Sequence, residues 1–256
     1  MIKKILKKKL SYQSKRKLLN IIDDISTIGL GNNLNKLGKI YRTDKQGSHF
    51  YTPYYKLHLK KFKLKKINLL EIGVGGYKNP NAGGNSLRMW KRYFPFGRIF
   101  SLDIYDKSSL QEKRIKIFKG SQVDKSFLDK VTNKIGGIDI IIDDGSHFNE
   151  HVIETFKLLF PKLNDGGIYV VEDTQTSYWN DFGGDSENLD NSKTMMNFFK
   201  SLTDSLNNKE FIKPHYKQNY YDKKNISIHF YHNLISIYKG NNDEESNKVV
   251  RNTYKV

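Results

Sequence analysis

Ile67-Asn68-Leu69-Leu70-Glu71-Ile72-Gly73-Val74-Gly75-Gly76 is a short apolar run that stops at glycines. A nearly unbroken apolar run of this length reads as a strand buried on both faces, and such strands belong to parallel sheets covered by helices. The pattern recurs downstream. Ile99–Ile104, Ile115–Phe118, Ile138–Ile142 and Ile168–Val171 read as further strands, the last entered from Gly166-Gly167. Between them, Ser86 is expected to cap a helix over Leu87–Tyr93, and residues 124–134 and 149–160 read as helices. The alternation predicts an α/β fold with a doubly wound, mainly parallel sheet. Ile226–Tyr231 and Leu234–Tyr238 flank His232-Asn233 and read as an antiparallel hairpin. Upstream, residues 2–25 read as one or two helices and residues 50–60 as another, beginning near Pro53. Gly29, Gly31, Asn32 and Asn33 break the first pattern.

The composition supports a folded core. Of 256 residues, 37% are hydrophobic and 13% aromatic, which excludes wholesale disorder. Cysteine is absent, so a disulfide scaffold, a thiolate nucleophile and a Cys-ligated metal centre are excluded. No stretch approaches the roughly 20 apolar residues that span a bilayer. Lysines interrupt every candidate signal sequence, so the expected location is the cytoplasm. The net charge of +17 is unevenly placed: residues 1–66 hold 18 Lys and Arg against 3 Asp and Glu. A polyanion, a phosphorylated or acidic glycan, or an anionic membrane surface touched peripherally would suit that segment. A lysine-rich bias on solvated helices accounts for it equally well.

The residues at the strand ends carry the chemistry. Gly73 and Gly75 after the first strand let backbone approach a nucleotide-like ligand. A dinucleotide fingerprint would need a third glycine at 78, where Lys78 stands, so a pyrophosphate is disfavoured. Asp103 ends the second strand, where a carboxylate can accept from ribose hydroxyls. Glu71 interrupts an otherwise apolar strand and suits the ammonium of an amino-acid moiety. A nucleoside joined to an amino acid without a pyrophosphate describes S-adenosyl-L-methionine.

A second group follows the fourth and fifth strands: Asp143-Asp144-Gly145-Ser146-His147 and Glu172-Asp173. In an open parallel sheet these ends meet a common crevice. So many carboxylates need a counter-cation, and all-oxygen donors favour a hard ion such as Mg²⁺. Asp144, Glu172 and Asp173 are the candidate ligands. Asp143 serves equally well as a helix cap. His147 suits general-base work, as an imidazole can take up a proton near neutral pH.

Longer motifs carry a resemblance. They are Gly38-Lys39-Ile40-Tyr41-Arg42-Thr43-Asp44-Lys45-Gln46-Gly47-Ser48-His49-Phe50-Tyr51, the glycine turn through Tyr77, Gly84-Asn85-Ser86-Leu87-Arg88-Met89-Trp90, Asp143–His147, and Glu172-Asp173-Thr174-Gln175-Thr176-Ser177-Tyr178-Trp179. Over about residues 38–184 the chain resembles the catalytic domain of the macrolide-sugar O-methyltransferases of the mycinamicin type. The resemblance implies a class I methyltransferase fold of strand order 3-2-1-4-5-7-6, with the hairpin as the last two strands. It also implies an enzyme that uses S-adenosyl-L-methionine and Mg²⁺. The metal ligands would be Asp144, Glu172 and Asp173, the general base His147. The cofactor would meet Glu71, Gly73, Gly75, Asp103 and Gln122, with Asp144 at its border. Thr43 and Tyr51 match the family's N-terminal motif and would line the same cavity.

The expected organisation is a basic helical segment over 1–37, a methyltransferase domain over 38–240 and a polar tail over 241–256. In the family, acceptor recognition and oligomer contacts depend partly on an N-terminal auxiliary domain, where this sequence has a basic segment of about 37 residues. The acceptor is therefore expected only as a small molecule or glycan bearing a sugar hydroxyl, with a surface polysaccharide among the candidates, and the chain as monomer or homo-oligomer. Residues 180–225 are the expected acceptor lid. Alternatives are a catechol-type small-molecule methyltransferase and a nucleic-acid methyltransferase. The second is disfavoured because Asp-Asp-Gly-Ser-His replaces the Asn/Asp-Pro-Pro-aromatic motif of base methylation.

Overall fold

The computed structural model describes residues 11–31 and 33–246. The expected helix at residues 2–10 and the tail beyond residue 246 lie outside them. The strands form one seven-stranded sheet of order β3-β2-β1-β4-β5-β7-β6, as the resemblance implied. The chain divides into two compact units, one of residues up to Ile67 with Val74–Gly120, the other of Asn68–Gly73 with Ser121 onward.

In the first unit, α1 (Tyr12–Ser26) starts where Ser11 accepts from the Ser14 N–H, and α2 (Leu34–Tyr41) where Asn33 accepts from Lys36. The sequence reading missed α2, whose eight residues are too few for a clear period. α3 (Thr52–Leu59) carries Pro53 in its first turn, as expected. α4 (Asn85–Tyr93) is capped by Gly84 at φ 72°, not by Ser86, which lies inside the helix. β2 (Arg98–Asp103) and β3 (Ile115–Lys119) pair in parallel.

Arg88 on α4 fixes α1. Its guanidinium is nearly fully buried and donates to Asn20 Oδ1 at 2.7 Å, the Asn20 carbonyl at 2.9 Å and Asp24 Oδ1 at 2.8 Å. Asp23 stands 3.6 Å away and also receives Arg42. Acids and a buried arginine thus tie part of the basic segment into the unit, since a buried charge persists only when paired.

The second unit holds β1 (Asn68–Ile72), α5 (Lys125–Ile135), β4 (Ile138–Asp143), α6 (Asn149–Leu159) and β5 (Leu163–Glu172). It continues with α7 (Met195–Ser201), α8 (Thr203–Leu206), α9 (Tyr220–Lys224), β6 (Asn225–Tyr231) and β7 (Leu234–Lys239). β1, β4 and β5 run parallel, and Ile140, Ile141, Ile142, Ile168 and Val170 are fully buried. Complete burial on both faces is why these strands lack alternation. Gly166 and Gly167 sit within β5 rather than before it, where the register with β4 shifts between Ile138 and Ile140. β7 pairs antiparallel with both β5 and β6, through a turn with Asn233 at φ 60°. Among the described residues, no helix is long and apolar enough to cross a membrane.

The span expected as a lid divides. Phe199 of α7 and Tyr221 of α9 stack around Phe156 of α6, at 5.1 and 5.8 Å between ring centroids. Phe199 and Tyr221 are thus packed against the domain, whereas residues 178–181 and 209–215 lie at the surface.

Candidate active site

Register brings the second unit's site together. Ile72 of β1 lies opposite Asp143 of β4, and Asp143 opposite Val171 of β5. The next residues, Gly73, Asp144 and Glu172, therefore lie at one carboxyl edge, where Glu172 still pairs with Leu234 of β7. The Asp144 N–H donates to the Ile72 carbonyl at 3.1 Å, which fixes its backbone. Gly73 has φ 91°, and a Cβ there would lie 2.1 Å from the Asp144 carbonyl oxygen. Only glycine lets β1 pass at that distance.

Alternation sends Asp143 inward and Asp144 to the rim. Asp143 is buried, receiving Tyr169 Oη–H at 3.2 Å and Gln122 Nε2–H at 3.4 Å. Burial pushes its carboxyl up to about 7; the Tyr169 hydrogen bond works against this and the Asp144 charge adds to it. The helix-cap reading of Asp143 fails, because it lies within β4 and α6 is preceded by Phe148 without a side-chain cap.

The raised pKa makes a stability prediction. Below about pH 4, Asp143 is neutral in both folded and unfolded chains. As pH rises from there to about 7, the unfolded chain releases the proton and the folded one keeps it, so stability falls. The cost reaches at most about 4 kcal/mol, since each pKa unit is about 1.4 kcal/mol. In urea titrations with EDTA between about pH 4 and about pH 8, Asp143→Asn is expected to flatten that decline. An unchanged slope would place the titration elsewhere.

Asp144, His147 and Asp173 converge: one ligand atom from each lies within 4.8 Å of the others. His147 Nε2 is 3.9 Å from Asp144 Oδ1 and 3.7 Å from Asp173 Oδ2. All three are partly exposed. His147 and Asp173 both hold left-handed backbone, at φ 59° and φ 54°. Strained backbone of this kind concentrates at functional sites, where surrounding bonds enforce it. Here Thr176 does so, its hydroxyl bonded to the His147 carbonyl at 2.8 Å and within 3.2 Å of the Asp173 carbonyl. Glu172 is buried and stands outside the converging three.

Gln122 is placed as a strut. Its Nε2 donates to Thr155 Oγ1 at 2.9 Å as well as to Asp143, and its Oε1 accepts the Ser146 N–H at 2.8 Å. It thereby shapes the Gly145–His147 turn. Glu71 is fully buried on β1.

In the first unit, Asp103 ends β2 and accepts the N–H of Val74 at 3.0 Å and of Tyr105 at 2.8 Å, one on each oxygen. Each oxygen keeps a further lone pair for a hydroxyl. Gly75 has φ 75°, and a Cβ there would meet only Gly83 Cα, at 3.9 Å. The loop that follows is held by Lys107, whose buried Nζ donates to the Asn79 carbonyl at 2.7 Å and that of Ala82 at 3.2 Å, and by Arg16 on the Asn81 and Gly83 carbonyls. Burial pushes the Lys107 ammonium down, against the pull of Asp103. Thr43 and Tyr51 are both buried; the Thr43 hydroxyl donates to Asp44 at 3.3 Å, and Tyr51 stacks on His49 at 4.9 Å.

Sequence reasoning gave no role to Tyr169, Thr155 or Lys107. Each acts on a residue 26 to 33 positions away, and no local pattern marks such a bond.

The donor set fits a hard cation: two carboxylates with a third close in sequence, beside an imidazole.

No protein-family model matches the chain. Among curated proteins it is 45% identical to the mycinamicin VI 2''-O-methyltransferase of Micromonospora griseorubida over 213 residues, 82% of this chain and 53% of that protein. It is also 45% identical to the demethylmacrocin O-methyltransferase of Streptomyces fradiae over 82% of this chain and 54% of that one. Among solved structures, the MycE methyltransferase of the mycinamycin biosynthetic pathway, in complex with Mg and SAH, superposes with a TM-score of 0.81. It is 44% identical over 83% of this chain and 56% of that one. The chain spans about half the length of the curated relatives it matches.

Proposed function

We propose, on this resemblance to the mycinamicin-type sugar O-methyltransferases, that the chain is an S-adenosyl-L-methionine- and Mg²⁺-dependent O-methyltransferase acting on a hydroxyl of a sugar or sugar-containing acceptor. The observation that carries the reading is the convergence of Asp144, His147 and Asp173 beyond the carboxyl ends of β4 and β5. Asp144 and Asp173, with Glu172, would hold the metal through carboxylate oxygen. When bound, Mg²⁺ supplies Lewis acidity that lowers the pKa of the acceptor hydroxyl.

His147 takes the hydroxyl proton at Nε2. Asp144 and Asp173 stand 3.9 and 3.7 Å from that nitrogen. Glu71 receives the ammonium of the methyl donor and Asp103 its ribose hydroxyls, while Gly73 and Gly75 let backbone come close. Gln122 contributes by holding the Gly145–His147 turn. Thr43 and Tyr51 are assigned to the cofactor by the motif they share with the family. Alignment of the hydroxyl with the methyl group supplies much of the rate. The cationic excess in residues 1–66 favours an anionic acceptor, such as a phosphorylated or surface-polysaccharide sugar, used in the cytoplasm.

Calorimetric titration with S-adenosylhomocysteine, in Mg²⁺ and in EDTA, tests the reading. Micromolar binding together with a separate Mg²⁺ isotherm is the expected result. Absence of cofactor-product binding under both conditions would overturn it.

A further inference from the structure

Residues 176–186 are a surface loop closed by a dense set of hydrogen bonds. Trp179 N–H donates to the Thr176 carbonyl at 3.2 Å, Phe182 and Gly184 N–H to the Trp179 carbonyl at 3.0 and 2.9 Å, and Asp185 N–H to the Ser177 carbonyl at 2.9 Å. The amide of Asn149, which is 1% exposed, donates to the Thr176 and Phe182 carbonyls at 3.0 Å each and accepts the Met195 N–H at 2.6 Å. A Cβ on Gly184 would lie 2.4 Å from the Thr176 carbonyl oxygen, so the turn closes as tightly as backbone allows.

This loop nevertheless holds Trp179 50% exposed and Tyr178 41% exposed. Leaving so much aromatic surface in water forgoes burial energy, and a fixed loop cannot fold it away. Phe182 stands 6.0 Å from Trp179 and 5.4 Å from Phe148, which extends the apolar face. Tyr178, Trp179, Asn180, Asp181, Phe182 and Ser186 line an open surface hollow of about 240 Å³. That is below the range of roughly 300–1,000 Å³ typical of drug-sized ligands, so it suits one ring. Aromatic faces match the C–H faces of a pyranose, and Asn180, Asp181 and Ser186 can bond its equatorial hydroxyls. The same loop is tied to the converging group, because Thr176 bonds the His147 carbonyl.

We infer that residues 178–186 form a preformed subsite for a single glycosyl ring of the acceptor, with Trp179 as the stacking platform and Asp181 as a hydroxyl acceptor. The inference rests on the proposed sugar O-methyltransferase reading and names the residues that select its acceptor. Preformation means that binding orders little, which conserves affinity for a small ligand.

The test is saturation-transfer NMR on the full chain with methyl α-L-rhamnopyranoside, methyl β-D-glucopyranoside and 3,4-dihydroxybenzoate as probes. S-adenosylhomocysteine calorimetry on the same samples is the control. At least one glycoside is expected to receive saturation on its ring C–H protons. Trp179→Ala should weaken its binding about tenfold or more, as loss of an aromatic anchor does, and Asp181→Asn by less. Trp179→Phe should recover part of the loss, which a merely structural role would not produce. S-adenosylhomocysteine affinity should stay within about twofold throughout. Glycoside binding unchanged in both Trp179→Ala and Asp181→Asn, no transfer to any glycoside, or transfer to the dihydroxybenzoate alone would overturn the subsite. Failure of S-adenosylhomocysteine to bind the unaltered chain would instead sink the methyltransferase reading.

Discussion

Asp144→Ala is expected to abolish Mg²⁺-dependent methyl transfer while leaving the fold intact. Asp144 sits at the rim of the sheet and is partly exposed, so losing its carboxylate opens no core cavity. Its N–H bond to the Ile72 carbonyl is a backbone bond and survives the change. What disappears is one of two carboxylates that meet with His147 within 4.8 Å. A Lewis-acid contribution of several kcal/mol corresponds to a loss on the order of 10³-fold in kcat. The Mg²⁺ isotherm should vanish, and thermal unfolding in EDTA should be unchanged. Retention of Mg²⁺-dependent turnover in Asp144→Ala would remove the metal assignment.

His147→Asn is expected to lower kcat by about 10²–10⁴ while Mg²⁺ still binds. Asparagine is the informative substitution because residue 147 holds φ 59°, a conformation asparagine tolerates better than alanine. A loss in His147→Asn therefore reports the missing proton acceptor and not a displaced turn. If Mg²⁺ affinity falls as steeply as turnover, His147 is a ligand, as its place among the three converging groups also permits, and the base lies elsewhere.

The two variants separate the roles of neighbouring residues. One should lose the metal and the other only the proton transfer. Both lie on the short segment after β4, so each changes the rim of the sheet and not its buried interior.

Much of this was legible in the order of residues. The run Ile140-Ile141-Ile142 fixes a strand covered on both faces, because only complete burial removes alternation. Two such strands in one parallel sheet bring their carboxyl ends together, so Asp144 and Asp173 are neighbours by topology alone. The terminal hairpin is local as well, set by two β-rich runs around His232-Asn233. Other features exist only in three dimensions. Local patterning made Ser86 a cap, but the chain turns into α4 at Gly84, where a left-handed φ is required. Glu172 and Asp173 are adjacent in sequence, yet among the described residues Asp173 joins Asp144 and His147 while Glu172 stays buried at the end of β5. Gln122, Asp143, Thr155 and Tyr169 bond one another across spans of 21 to 33 residues. Periodicity records which face a residue presents to the core, and so the sequence determined the layers and the edge where the site lies. Which buried polar groups meet depends on distances between distant segments, and packing decided the partners that hold His147 and the 176–186 loop in place.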